Sequence, residues 1–290
     1  MKCGFILPFG DACAAADLAY EAEQTGWDGF FVLEPVWGVD AWVALAAAAM
    51  RTEQIRLGPV LTPLPRRRPW KLANEALTLD HLSKGRVILS VGLGDIDELR
   101  PFGEVTDRKT RAELLDEGLD ILTGLWRGQP FSFAGKHYQI KTRYTSPLSS
   151  IQQPHIPIWV VGAWPSKKSM QRTLRYDGLL PQVLKSADGK FAVGKFAVGK
   201  FAAGTAPVAQ RVDLADLRAI RAYVDAQRSD SETFDIVIEG DTPGDDRQEA
   251  ARVVAQWAEA GATWWLEAPW DAETQDDVRQ RIRQGPPGKA

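Results

Sequence analysis

Eight short apolar runs, each followed by a longer stretch of helical periodicity, limit this chain more than any other feature. The runs cover residues 2–7, 29–33, 55–60, 86–91, 157–161, 178–182, 234–239 and 263–267. Most are continuous, as in GFFVL and IWVV, the pattern of strands covered on both faces. Helical patterns occupy 11–25, 40–51, 70–82, 109–126, 167–175, 214–228, 247–260 and 275–283. Asp11 and Asp40 stand where N-caps belong, Pro69 lies in a first turn, and Gly26 and Gly85 stand where helices end. Strand and helix in alternation demand a parallel sheet with helical crossovers. Eight such units in 290 residues describe an α/β fold, a (β/α)8 TIM barrel spanning 1–290 as a single domain. An open doubly wound sheet is the competing arrangement.

Two segments interrupt the alternation. FSFAGKHYQI, residues 131–140, places aromatics on both sides of a central glycine and predicts a β-hairpin inserted after the fourth helix. After the sixth strand comes a tandem repeat, KFAVG at Lys190, KFAVG at Lys195 and KFAAG at Lys200. A period of five matches neither helix nor strand, so the repeat predicts a long exposed loop. It reads either as a tolerated expansion or as a lid over the site.

Composition excludes several classes. Apolar residues at 44% and charged residues at 25% describe a globular chain, and a net charge of −3 gives no overall attraction to nucleic acid or anionic lipid. The most apolar stretch, 41–50, is about half the roughly 20 residues of a membrane span, so no membrane segment is expected. The start, MKCGFILPFGDACAAAD, reads as a first strand and not a signal peptide, because Gly4 and Pro8 break its apolar run and Asp11 follows. Cys3 and Cys13 are the only cysteines, which points to a cytoplasmic protein without a disulfide framework. Three histidines, none spaced as a ligand pair, offer no metal site.

In such a barrel, chemistry belongs at the C-terminal ends of the strands. Trp37, Trp70, Trp164 and Trp270 fall in or beside those loops, either lining a pocket for a flat ring or packing on neighbouring helices. Gly92, Leu93 and Gly94 follow the fourth strand but lack the third glycine of a dinucleotide fingerprint, so they mark close backbone approach to a ligand or a plain turn. In GAWPSKKSMQR, Ser166 stands at a helix start with Lys167, Lys168 and Arg172, an anion site or a solvated basic face. Arg66, Arg67 and Arg68 are a substrate contact at the mouth or a solvated run. Glu34 ends an apolar strand and is the candidate proton carrier, with a structural carboxylate as the alternative. With no nucleophile elbow and no catalytic histidine among these ends, a bound cofactor is expected to carry the reaction.

The stretches TLDHLSKGRVILSVGLG, FGE with RAELLDEGLDILTGLW, FSFAGKHYQI, QPHIPIWVVGAWP with RYDGLLP, FDIVIEGDTP and AGATWWLE together make the chain resemble the bacterial luciferase-like family of flavin- and deazaflavin-dependent oxidoreductases. The resemblance implies a barrel, usually a homodimer, holding a flavin ring over the strand ends. Carried onto this sequence, the ring and phosphate contacts fall at Pro59, Val60 and Leu61, at Gly92, Leu93 and Gly94, and at Gly162, Ala163, Trp164, Ser166, Lys167 and Lys168. It also implies a non-proline cis peptide near Pro59 and Val60. The family commonly carries a histidine after the second strand, where this chain has Pro35 and Val36.

These readings combine into a flavin-dependent oxidoreductase, a luciferase-like monooxygenase using reduced FMN and oxygen on a small organic substrate. Glu34 is its catalytic candidate, Trp37, Arg66 and Trp270 its substrate contacts, and a flavin reductase its candidate electron-donor partner. The alternatives are hydride transfer with coenzyme F420 and a non-catalytic flavin-binding protein.

Overall fold

A computed structural model describes residues 1–142, 148–183, 212–228 and 233–288. Its strands are β1 (Lys2–Leu7), β2 (Gly29–Val32), β3 (Arg56–Pro59), β4 (Thr62–Pro63), β5 (Leu89–Gly92), β6 (Ser132–Ala134), β7 (Gln139–Lys141), β8 (Ile158–Trp164), β9 (Gly178–Val183), β10 (Asp235–Gly240) and β11 (Trp264–Glu267). Its helices are α1 (Ala12–Gln24), α2 (Ala41–Arg51), α3 (Pro69–Leu82), α4 (Ile96–Leu99), α5 (Arg108–Trp126), α6 (Lys167–Thr173), α7 (Leu214–Gln227), α8 (Arg247–Glu259) and α9 (Gln275–Arg283). The KFAVG repeat, and with it the long loop expected after the sixth strand, lies outside the described residues.

The main sheet is parallel and runs β3-β2-β1-β11-β10-β9-β8-β5-β4. Its two ends are the two halves of one barrel strand, which the sequence reading ran unbroken over 55–60. Val60 and Leu61 separate the halves, and the peptide bond between them is cis. Below the break, Leu57 bridges Val87, with Leu57 N donating to Arg86 O at 3.0 Å and Ile88 N donating to Leu57 O at 2.9 Å. Above it, β4 pairs with β5 through Thr62–Val91 and Pro63–Gly92. The circle thus closes as a (β/α)8 barrel, the predicted α/β fold.

Aspartates open α1, α2, α5, α7 and α8, each accepting backbone N–H groups of the first turn. An aspartate cap is worth about 1 kcal/mol and ends the loop where the strand-end chemistry begins. The barrel interior is filled by Ile6, Phe31, Val60, Ile88, Trp159, Leu180, Val237, Trp264 and Leu266. Phe31, Trp159 and Trp264 interlock there, with ring centroids 5.5 Å, 6.0 Å and 5.2 Å apart. A second, larger core lies between strands and helices. The hairpin β6–β7 forms as expected and lies against α5. The Glu117 carboxylate accepts N–H from Lys136, His137 and Tyr138 at 2.7, 3.0 and 3.0 Å, and Glu113 takes Lys136 Nζ and His137 Nε2, both at 2.8 Å. Those two partners hold the Glu113 carboxyl down to about 2. Among the described residues, no helix is long and apolar enough to cross a membrane.

Closure leaves no room at Gly58, where a Cβ would stand 2.1 Å from the Ile88 carbonyl oxygen. Gly58→Ala must push backbone against backbone. We expect it to lower the unfolding free energy by about 3 kcal/mol, the upper part of the overpacking range, read from the urea midpoint.

Candidate active site

Glu34 follows β2, and its carboxylate accepts four side-chain hydrogen bonds. Trp42 Nε1 of α2 and Thr62 Oγ1 of β4 donate to its Oε2 at 3.1 and 2.6 Å. Arg66 Nη2 and Arg67 Nη1 donate to its Oε1 at 3.2 and 3.0 Å. Arg66 Nη2 also donates to the Pro35 carbonyl at 3.1 Å, and Arg67 reaches Glu75 of α3. The Glu34 side chain is 4% exposed. Burial pushes its carboxyl above the usual range, against the downward pull of Arg67, Thr62, Arg66 and Trp42. A carboxylate offers about four lone-pair directions, and here four donors fill them. A proton reaches Glu34 only by displacing one.

Of the arginine triplet, two members are therefore committed to buried acids, and Arg68 is exposed over the Trp70 ring. The tryptophans also separate. Trp70 meets Tyr138 of the hairpin edge-on at 6.2 Å, and Trp164 meets Tyr223 of α7 edge-on at 5.6 Å. Both pack on neighbouring elements. Trp37 is 85% exposed. Trp270 lies against the inner barrel cluster and donates Nε1–H to Glu239 Oε1 at 2.7 Å.

The other predicted positions gather around the seam between β4, β5 and β8. Pro59 ends β3, and Val60 and Leu61 form the cis peptide that leads into β4. Gly92 ends β5, and the side chains of Leu61 and Val161 converge on it, 3.0 to 3.2 Å from where a Cβ would stand. Leu93 and Gly94 continue the loop, with Gly94 at φ +78 and Pro63 2.7 Å from its would-be Cβ. Arg111, in the first turn of α5, holds this loop through the carbonyls of Leu93, at 2.5 Å, and Gly94. On β8, Ala163 is buried and its N–H donates to Ser169 Oγ at 2.9 Å, while Gly162 faces Leu179, Thr173 and Met170 of the outer layer. Ser166 is the N-cap residue of α6 without a side-chain capping bond, and Lys167 and Lys168 are exposed with no ion pair among the described residues. Arg172 instead grips Asp116 of α5 through Nε at 2.5 Å and Nη2 at 2.9 Å.

Two features were missed from the sequence. Glu98, on α4, is half-buried at the rim, and burial with Asp95 pushes its carboxyl up against the pull of Arg66 and the Val36 N–H. Asp95 caps α4 by accepting the Asp97 N–H at 2.8 Å, and Asp95 with Glu98 three residues on was the legible signal for that helix. Glu239 points into the upper barrel, two residues beyond inward-facing Val237 in β10. Among the described residues, no group of three His, Cys, Asp or Glu side chains is placed to hold a metal.

Residues 10–285 match the luciferase-like monooxygenase family. The chain belongs to that family, a family of oxidoreductase enzymes. A putative coenzyme F420-dependent oxidoreductase of Mycobacterium tuberculosis is 32% identical over 194 residues, 62% of this chain and 55% of that protein. The match thus spans little more than half the relative's length. Among solved structures, the coenzyme F420-dependent tetrahydromethanopterin reductase of Methanopyrus kandleri has a TM-score of 0.75 at 15% identity, covering 98% of each chain. The oxygenating constituent of 3,6-diketocamphane monooxygenase of Pseudomonas putida, a type II Baeyer-Villiger monooxygenase in complex with FMN, has a TM-score of 0.61 at 19% identity, covering 88% of this chain and 71% of that one. At these identities the structural likenesses establish the fold.

The residues of this family member fit a planar ring. Leu33 and Val161 are half-buried side chains resting on the inner cluster, and Val161 with Leu61 makes an apolar shelf over Gly92. A side chain at position 92 would crowd both Leu61 and Val161. Lys167 and Lys168 are exposed at the start of α6, after the strand that pairs with β5.

The Glu34 cluster braces this shelf through Thr62. Glu34→Gln sets an NH2 group against either the Trp42 and Thr62 donors or the two guanidiniums. Breaking one partner of a buried charge pair costs about 3–5 kcal/mol, and with Arg66 and Arg67 reaching water we expect about 3 in urea unfolding. A loss below about 0.5 kcal/mol would show that water replaces the carboxylate freely.

Proposed function

We propose that this chain is a cytoplasmic oxidoreductase that holds coenzyme F420 at the barrel mouth and exchanges a hydride with a small organic substrate. The observation that carries the reading is the apolar shelf of Leu61 and Val161 over side-chain-free Gly92, with Lys167 and Lys168 exposed at the start of α6, the helix after the strand that pairs with β5. F420 is favoured over FMN because the curated relative and the fold neighbour matching over nearly the full chain both carry that coenzyme in their names. When bound, the coenzyme supplies a two-electron hydride carrier. The chain does the rest. Leu61 and Val161 exclude water from one ring face, Lys167 and Lys168 hold the phosphate, and Trp270 bounds the substrate side. Glu34, its oxygens filled, keeps Arg66 and Arg67 in place and so shapes the loop after β4. In this reading it moves no proton, which departs from its role as the sequence candidate.

A second reading, reduced FMN with oxygen and a flavin reductase as partner, is favoured by the FMN-bound neighbour. Titrating the purified chain with each cofactor, followed by cofactor fluorescence, separates the two. F420 is expected to bind more tightly, and anaerobic turnover with it distinguishes an enzyme from a passive carrier. Replacing Lys167 and Lys168 by Ala should weaken binding about tenfold, near 1.4 kcal/mol, between the values of an exposed pair and a desolvated charge-assisted bond. An unchanged constant would move the phosphate site elsewhere.

For the homodimer, α2 offers the surface. Val43 and Met50 are 62% and 70% exposed, with half-buried Ala46 and Ala47 between them at helical spacing, so the solvent face of this helix is apolar. A helix apolar on all sides is a buried helix, and a second copy of the chain is the occupant proposed here. Val43→Arg with Met50→Arg should convert a dimer to a monomer in sedimentation, and a monomeric native chain would end the proposal.

A further inference from the structure

The segment after β5 has donors and acceptors on opposite sides. Arg111 Nη2 takes the carbonyls of Leu93, at 2.5 Å, and Gly94, so both oxygens point toward α5. Neither peptide bond is cis, and in a trans peptide the N–H points opposite to the C=O. The N–H groups of Gly94 and Asp95 therefore point away from α5, which belongs to the helical layer around the barrel. Neither donates to any acceptor among the described residues. Gly94 holds φ +78 against Pro63, which limits relaxation of the loop.

Arg111 itself is unusual. It is 4% exposed, its Nε is buried without a partner, and the acid whose charge acts on it, Asp95, forms no ion pair with it among the described residues. The contrast is Arg86, whose Nε, Nη1 and Nη2 all end on carbonyls or the Thr52 hydroxyl at 2.6 to 3.1 Å, a clamp that is complete in itself. Arg111 instead leaves a buried positive charge directly behind two consecutive amides. Successive N–H groups backed by positive charge form an anion-binding concavity, and such preorganised donors stabilise an oxygen that carries negative charge.

We propose that Arg111 is a positioning residue for the cofactor: by drawing the Leu93 and Gly94 carbonyls outward, it presents the Gly94 and Asp95 N–H groups as a two-donor cradle for a ring carbonyl oxygen. The inference rests on the ring-binding reading above. The pyrimidinedione edge shared by flavin and deazaflavin rings supplies such an oxygen, so the cradle serves either cofactor.

The test uses the full chain with FMN and with F420. Wild type is titrated beside Arg111→Ala and Arg111→Lys, with and without millimolar guanidinium, and amide exchange at Gly94 and Asp95 is followed in wild type before and after loading. Arg111→Ala should bind at least about tenfold more weakly, guanidinium should restore much of that loss without affecting wild type, and Arg111→Lys should fall between. Both amides should exchange freely in the empty protein and become protected on loading. Binding by Arg111→Ala within about twofold of wild type, or amides whose exchange ignores the cofactor, overturns the inference. Should Arg111→Ala fail to fold, the wild-type exchange decides. If wild type binds neither ring, the ring-binding reading falls and the cradle with it.

Discussion

Closing the barrel between its third and fourth strands is the constraint on which the rest of this structure depends. Elsewhere in the circle, neighbouring strands pair in an ordinary parallel register. At the seam, one barrel strand pairs to its two sides in two pieces, β3 with β2 and β4 with β5, and the lower bridge from Leu57 to Val87 needs Gly58 to be bare. The break between the pieces puts Leu61 over Gly92 and Thr62 beneath Glu34. The predicted cofactor positions cluster here because this is where backbone pairing is interrupted and side chains and loop amides take its place.

Two buried carboxylates secure the ends of strands by the same chemistry. Glu34 is held by Trp42, Thr62, Arg66 and Arg67, and Glu267 by Trp265 Nε1 at 2.8 Å, Thr242 Oγ1 at 3.0 Å and Arg281 Nε at 3.1 Å. Each combines an indole, a hydroxyl and a guanidinium. Desolvation offsets most of the attraction in such clusters, so their worth lies in fixing which elements meet. Glu34 joins the second and third barrel strands to α2 and α3. Glu267 joins the seventh and eighth to α9. Between them, the mouth keeps its shape without a metal ligand set or a disulfide among the described residues.

The fold was legible because burial on both faces leaves a strong trace: a strand that touches barrel interior and helix layer is apolar through its middle, and most of the eight runs showed this, with polar residues such as Lys2, Arg86 and Glu267 mainly at their ends. The hairpin was legible for a local reason, its central glycine and flanking aromatics. The broken third strand was not, since Pro59 to Thr62 continues the apolar pattern whether or not the backbone turns. Glu34 was singled out by position, but its partners come from residues 42, 62, 66 and 67, and no local pattern announces that four donors converge on one carboxylate. The tryptophans show the same limit. Sequence placed four of them near strand ends, yet Trp164 turns to Tyr223 and Trp70 to Tyr138, a choice made by strand parity and by the hairpin. Arg111 sits inside the stretch that carried the family resemblance, and its contact with residues 93 and 94 crosses from one element to another.

What the mouth lacks bears on how the site works. The family's histidine position holds Pro35 and Val36, and the Pro35 carbonyl is occupied by Arg66. The groups assigned to the proposed ring site are apolar side chains, backbone amides and cations. None of these transfers protons near neutral pH. They can bind a ring, polarise its carbonyls and exclude water, which are the duties left to a protein when the cofactor carries the reaction. In the proposed ring site this work falls to backbone amides and a bare glycine, parts of the scaffold that do not depend on the substrate. The half-buried acids Glu98 and Glu239 lie apart from that site, on the short helix after β5 and at the end of β10, where Glu239 is held by Trp270.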